Sequence, residues 1–357
     1  MDQIGRNGDF EHFERRPWHC LITSGVRSVL CAAFLTLLTC TAVAKEEPEP
    51  PPKPRNVDLK TKDDVELNAL YYEGTEGEKT VPVVVIHDWN KKEEGATYES
   101  LAEYLQSKGY AVILPDLRGH GSSTRQKDDA RQSRTLTSRN VKPENVVAGD
   151  LEAVRMFLLK ENNAKKLNLA ATTLIGVGKG AILAAHYAVY DWDEFYRWPN
   201  KDAKAPGIRR AIVKNRGGEK DVKALILVSP QTKIGKQMKI DALSRHPTVG
   251  TGEVSTLILV GQKQGNAANK EPKETRESKT AQNIYARLKQ NDHITETDDV
   301  GKWTLFLKAL DTEHNGETLL NETEHDLGAR ATVASFLKLR LRDQNFPWTE
   351  HRPYKIR

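Results

Sequence analysis

The stretch TTLIGVGKGAILAAHYA, Thr172 to Ala188, gathers the residues whose types and spacing could do chemistry. It reads as a buried strand, a turn crowded with Gly176, Gly178 and Gly180, and a helix that opens on small residues. Such a turn can cradle a phosphate, present a nucleophile, or do neither. Gly176, Gly178 and Ala181 satisfy the dinucleotide spacing G-x-G-x-x-G/A. That fingerprint belongs to the first strand of a nucleotide-binding unit, with an acid closing a second strand about twenty residues on. Here the strand comes about fifth, and a hydrophilic stretch follows the helix. The Walker spacing fails outright: its leading glycine falls on Thr173, and Gly180 follows the lysine in place of Ser or Thr. Bare amides from Gly178 to Gly180, with the Lys179 ammonium, would still make an anion seat at a helix start. The plainer reading is that glycine takes a sharp turn without strain and needs no ligand. Metal chemistry has little support, because the histidines after the leader are dispersed and none shows i, i+4 spacing. His87 and Asp88 are adjacent, and adjacent strand residues point to opposite faces.

The elements that must position these residues alternate in type. VDLKTKDDVELNALYYEG alternates apolar and polar about a charged turn, as an edge hairpin does. VPVVVIHDW, YAVILPDLRGHG, KLNLAATTLIGVG, VKALILVSP, STLILVGQ and KWTLFLKAL read as strands, most of them continuously apolar and so covered on both faces. SLAEYLQSKG, VVAGDLEAVRMFLLKEN, GAILAAHYAVYDW, NIYARLKQ and TVASFLKLRL have helical spacing. Alternation of this kind predicts an α/β fold: a mostly parallel central sheet with helices on both faces. No internal repeat is visible. Two hydrophilic stretches, Asp191 to Asp221 and Gln262 to Thr280, read as surface loops or insertions. Trp192, Phe195, Tyr196 and Trp198 cluster in the first, either packing it onto the body or forming an exposed aromatic contact surface.

A strand ending in HDWN, a strand ending in PDLRGHGSS, the GVGKG turn and a late EHNG, in that order, resemble an α/β-hydrolase over about residues 57–341. PDLRGHGSS is the most specific piece. The resemblance implies the α/β-hydrolase fold without a large cap domain, since Ser229 to Glu253 leaves room only for a connection and a short helix. It also implies a Ser-acid-His triad, with the serine at the centre of G-x-S-x-G on a strained elbow. The matching position is Gly178, which has no side chain to form an acyl-enzyme. The acid position falls on Gln264, an amide that can orient a histidine but cannot offset an imidazolium charge. Glu271, further on, would be a strained substitute. The histidine position is retained at His314 in DTEHNGETLL; His325 lies too close to the last helix. Backbone amides of Lys179 and of the Asp88-Trp89 pair would form the oxyanion hole. An acid at Asp88, where the family usually has glycine, is unhelpful there unless it points away, and Lys179 could pair with it.

Composition sets the frame. The 357 residues are 38% hydrophobic, enough for a sizeable core, and the net charge of +5 is spread over interleaved acids and bases. No basic stripe carries aromatics between its charges, so no nucleic-acid partner is expected. Arg15, Arg16 and Arg27 precede the apolar run SVLCAAFLTLLTCTAVA, which ends in Ala42-Val43-Ala44. That order is a secretory signal over residues 1–44, with an uncleaved transmembrane anchor as the alternative. The three cysteines (Cys20, Cys31, Cys40) all lie in it, so a processed chain has no thiol chemistry. KEEPEPPPKP, residues 45–54, reads as an extended spacer, 55–345 as the folded domain and 346–357 as a tail. The expectation is therefore an exported, periplasmic or extracellular protein of hydrolase shape and degenerate triad, with a binding or scaffolding role. No cofactor and no metal are expected; the partner is a small molecule or a protein, and contact with a membrane comes only through the possible anchor. The alternatives are an ester or amide hydrolase, of the carboxylic ester class, using His314 with activated water or another nucleophile, and an anion-binding module at the Lys179 turn.

Overall fold

Alternate residues of the apolar strands enter two different cores. Val83 and Val85 join one cluster of buried side chains and Val84 and Ile86 the other, with the same split at Leu225 and Leu227 against Ala224, Ile226 and Val228. A strand buried on both faces must be apolar throughout, which accounts for the β-branched run PVVVI. The computed structural model describes residues 50–351 except 91–92, 128–132, 193–219, 237, 247–248, 263–273, 292 and 322–327. The chain divides into two units, Met1–Pro48 and Glu49–Arg357, and the described residues all belong to the second.

Twelve strands are described within it: β1 (Arg55–Lys60), β2 (Val65–Tyr72), β3 (Pro82–Ile86), β4 (Ala111–Pro115), β5 (Arg125–Lys127), β6 (Ser133–Thr135), β7 (Thr172–Val177), β8 (Val222–Val228), β9 (Lys233–Ile234), β10 (Met238–Lys239), β11 (Ser255–Gly261) and β12 (Leu305–Leu310). The helices are α1 (Glu99–Gln106), α2 (Leu151–Asn163), α3 (Gly180–Trp192), α4 (Ala242–Arg245), α5 (Arg276–Lys289), α6 (Glu317–Asn321) and α7 (Ala329–Leu337). The main sheet runs β12-β11-β8-β7-β3-β4-β2-β5-β6, with β1 paired to β2. From β12 to β4 every pairing is parallel; β2 is antiparallel to β4, β1 and β5. β9 and β10 form a separate two-stranded piece.

Helices cover both faces as the alternation of elements predicts. α2, α3, α4 and α5 contribute Leu151, Ile182, Leu243 and Ile284 to one core, while α1, α6 and α7 contribute Leu101, Leu319 and Phe336 to the other. Each such side chain, taken fully out of water, contributes about 1.5–3 kcal/mol. β5 and β6 were not anticipated, because their residues are polar and exposed or half-exposed and carry no burial signal. The sheet order brings the ends of β3, β7, β8, β11 and β12 to one edge, where the connecting loops carry Asp88, Gly178, Ser229 and His314. Open parallel sheets bind ligands at this carboxyl edge.

Candidate functional site

The turn after β7 is built for close approach. A Cβ on Gly176 would lie 2.5 Å from Ala181 Cα, and one on Gly180 would lie 2.4 Å from the carbonyl oxygens of Ile86 and His87. These two glycines let α3 press against β7 and β3, a close-packing role distinct from taking a sharp turn without strain. Gly178 sits in the left-handed region at φ +56°. A Cβ there would lie 2.6 Å from Cγ of Asp88 and 2.7 and 2.9 Å from its carboxylate oxygens. The nucleophile position is therefore filled from outside by a neighbouring carboxylate.

Asp88 does not point away. Its Oδ1 accepts the Lys179 backbone N–H at 2.8 Å, and the Trp89 N–H also stabilises the charged carboxylate. The two amides expected to form an oxyanion hole thus converge on an internal anion. Burial raises the Asp88 pKa from its ordinary value, against the pull of those amides and of the Lys179 charge. The anion seat fails for the same reason: the Gly178 N–H donates to Val228 O at 2.9 Å and the Lys179 N–H is held by Asp88. The pairing expected between Lys179 and Asp88 is made by the backbone amide.

His87 fixes this loop. Its Nε2 accepts the Leu117 N–H at 3.2 Å, so Nδ1 carries the proton and donates to Asp88 O at 2.8 Å. The ring is fully buried, and burial pushes its pKa down to about 3. The ring of His120 lies 5.0 Å from that of His87 and 4.6 Å from that of Trp89. The rest of PDLRGHGSS is architectural. Asp116 accepts the N–H groups of Gly95 and Ser122, and the buried Arg118 bridges Asp63 and Asp150.

The segment after β12 turns Asn315, not His314, into the sheet edge. Asn315 Oδ1 accepts from Ser229 Oγ at 2.9 Å and from the Gly261 N–H at 3.1 Å, while Ser229 Oγ accepts the Gly316 N–H at 2.8 Å. His314 is exposed, its backbone N–H donates to Thr312 Oγ1, and its carbonyl lies where a Cβ on Gly261 would stand. Ser229 has φ +44° at the end of β8, a strained strand-end serine like those that carry nucleophiles. Its hydroxyl, however, donates to an amide oxygen that is no base, and the residue is buried. Gln264, Glu271, His325, Phe195, Tyr196 and Trp198 lie outside the described residues. Trp192 packs inward, its indole N–H donating to Val222 O at 2.7 Å.

A pair of carboxyl groups absent from the sequence reading acts beside Asp88. The Glu317 charge at the start of α6 acts on Glu93 in the loop after β3, and the Tyr98 hydroxyl donates to Glu93 Oε2 at 3.4 Å. Burial, then the facing Glu317 and Asp88 carboxylates, raise Glu93 to about 7. Only the closure of the fold brings positions this far apart in the chain together. Among the described residues, no group of three or more His, Cys, Asp and Glu side chains has the arrangement to hold a metal ion.

Residues 81–194 match the family model described as alpha/beta hydrolase fold. Comparison with curated proteins returns no match. Among solved structures, an esterase of Pyrococcus furiosus is 15% identical with a TM-score of 0.49, covering 81% of this chain and 92% of its own. An esterase of Pyrobaculum calidifontis is 14% identical with a TM-score of 0.49, covering 82% and 86%. The dienelactone hydrolase of Anabaena variabilis is 14% identical with a TM-score of 0.43, covering 81% and 96%. Likeness at this level says nothing of chemistry.

Proposed function

From a chain that has the α/β-hydrolase fold, we propose a protein that does not form an acyl-enzyme at its elbow and uses the cleft for binding or scaffolding. One observation carries this reading: the Asp88 carboxylate accepts the Lys179 N–H at 2.8 Å and fills the space that a side chain at Gly178 would need. Acyl transfer needs a nucleophile at that point and free amides aimed at the developing oxyanion. Here the nucleophile is absent and the amide is held by a fixed negative charge, which would repel a second one. The loss of a single oxyanion donor slows acyl transfer by about 10²–10³-fold. An internal carboxylate facing the oxyanion is a heavier penalty, because it destabilises the transition state as well as withdrawing the donor. The same geometry argues against an anionic ligand at the Lys179 turn.

Export is part of the proposal and rests on the order of basic, apolar and small residues before Lys45.

The test is hydrolysis of short- and medium-chain nitrophenyl esters by residues 45–357, beside His314→Ala, with labelling by a serine-directed fluorophosphonate. The expected result is the buffer rate for both proteins and no labelled serine. Turnover well above buffer that collapses in His314→Ala, or stoichiometric labelling of any serine, would overturn the reading in favour of a working hydrolase.

A further inference from the structure

We propose that Asn315 and Gly316 form a self-modifying site, at which the chain converts its own Asn315 to aspartate or isoaspartate through a succinimide. Such a reaction needs the backbone nitrogen of the following residue to reach the side-chain carbonyl carbon, and glycine puts no side chain in the way. A Cβ on Gly316 would meet only Val177 Cγ1, at 3.8 Å, so the turn at φ +60° is uncrowded. Asn315 and Gly316 are half-buried, and Glu313 and His314 just before them are exposed, so the pair lies within reach of water.

Four hydrogen bonds act on the reacting atoms. The Gly261 N–H and the Ser229 hydroxyl donate to Asn315 Oδ1 at 3.1 and 2.9 Å. A backbone N–H can only donate, so the atom facing Gly261 is the carbonyl oxygen and not the amide nitrogen. Two donors on that oxygen stabilise the charge it gains when Cγ is attacked, as in an oxyanion hole. Ser229 Oγ also accepts the Gly316 N–H at 2.8 Å. One hydroxyl therefore joins the attacking nitrogen to the oxygen that must receive its proton. Thr318 Oγ1 donates at 2.9 Å to Asn315 O, the oxygen of the same peptide group as the Gly316 N–H. A donor there favours the anion left when that N–H gives up its proton.

The Gly316 nitrogen bonds to Asn315 Cγ as its proton passes to Ser229 Oγ. The hydroxyl's own proton passes to Oδ1, which takes up the electron pair of the carbonyl bond. The carbonyl then re-forms, its proton moves to the carboxamide nitrogen, and ammonia leaves with the pair of the C–N bond. Water adds to one carbonyl of the five-membered ring and opens it, at Cγ to give aspartate or at the backbone carbon to give isoaspartate. Over the whole sequence one water is consumed and one ammonia released. Ser229 ends as it began, a proton relay and not a nucleophile. A carboxylate at position 315 would keep both donors, so the fold accommodates the aspartate and gains a negative charge next to His314.

The test follows the full chain at neutral pH in water enriched in heavy oxygen. Peptide mass spectrometry reads label entering residue 315, and released ammonia is assayed in parallel. The native chain should convert about tenfold faster than the same chain unfolded in guanidinium, part of the about 10²–10⁴-fold that a positioned proton-transfer group contributes. Ser229→Ala removes the relay and one donor, and should bring the native rate down to the unfolded one or below. A native wild type that converts no faster than the unfolded chain would overturn the site, as would native Ser229→Ala converting as fast as native wild type. The first comparison uses no variant, so it decides the matter even if Ser229→Ala does not fold. Ester turnover does not enter either readout, and failure here leaves the binding reading of the cleft standing.

Discussion

At the scale of single residues, the site is defined by two departures that fit each other. Gly178 removes a side chain, and Asp88 places a carboxylate where that side chain would stand. Each was legible alone, because GVGKG and HDWN both depart from the pattern they resemble. The resemblance put Asp88 near Lys179, but that the carboxylate takes the Lys179 N–H and fills the space beside Gly178 follows from the parallel pairing of β3 and β7 rather than from local sequence. The fit makes a prediction. Gly178→Ser alone puts a Cβ into the left-handed region and against the Asp88 carboxylate, and should destabilise the protein by about 1–3 kcal/mol of overpacking. It should restore no turnover. Gly178→Ser with Asp88→Gly should recover much of the loss, a coupling of about 0.5–3 kcal/mol for groups in contact. A double-mutant cycle by urea denaturation measures it, and strictly additive changes would mean that the two positions do not compete for space. Fluorophosphonate labelling of the double variant then asks whether an opened hole suffices for nucleophile chemistry.

At the scale of elements, the long strands and helices were readable because burial on both faces leaves an unbroken apolar signal, as in β3, β8 and β11. The edge strands β5 and β6 were not, since RQK and SRT present no buried face; strand pairing, the Gln126 amide on Asp63 O and the Lys127–Glu66 ion pair hold them. The segment after β12 shows the same limit in the site. HNG marks a turn, and Gly316 does take φ +60°. Nothing local says which of His314 and Asn315 faces inward. Ser229 and Gly261, at the ends of β8 and β11, decide it by offering a hydroxyl and an N–H to one amide oxygen. Asn315→Ala should therefore cost about 1–3 kcal/mol, the penalty for leaving buried polar groups without a partner. The Gly261 amide should lose hydrogen-exchange protection in the same variant. Full retention of both would show that the segment is held by α6 alone.

At the scale of the whole molecule, the buried histidines set the acid limit of stability. His87 is held neutral with a folded pKa of about 3, and burial lowers His120, His186 and His293 as well, the last to about 4. An unfolded chain protonates these rings below about 6.5. A depressed folded pKa means that their contribution is present above that value and lost as pH falls toward the folded one. For His87 the loss runs at about 1.4 kcal/mol per pH unit between 6.5 and 3, one proton being bound only on unfolding. Glu93, raised to about 7 at a half-buried and screened position, and Asp150, raised by burial to about 6, act with the opposite sign and offset part of the slope. The combined expectation is a protein most stable near or just above neutral pH that weakens steeply toward pH 4. His87→Gln isolates the main component. Glutamine can still accept the Leu117 N–H but has no proton to gain, so the variant should be less stable than wild type at pH 7 and the gap should narrow as pH falls. Urea unfolding of both proteins at pH 7, 6, 5 and 4 reads this directly. A gap that stays constant over that range would place the acid sensitivity elsewhere, in the remaining histidines or in Asp63, where burial raises the pKa but the Arg118 charge and hydrogen bonds lower it further.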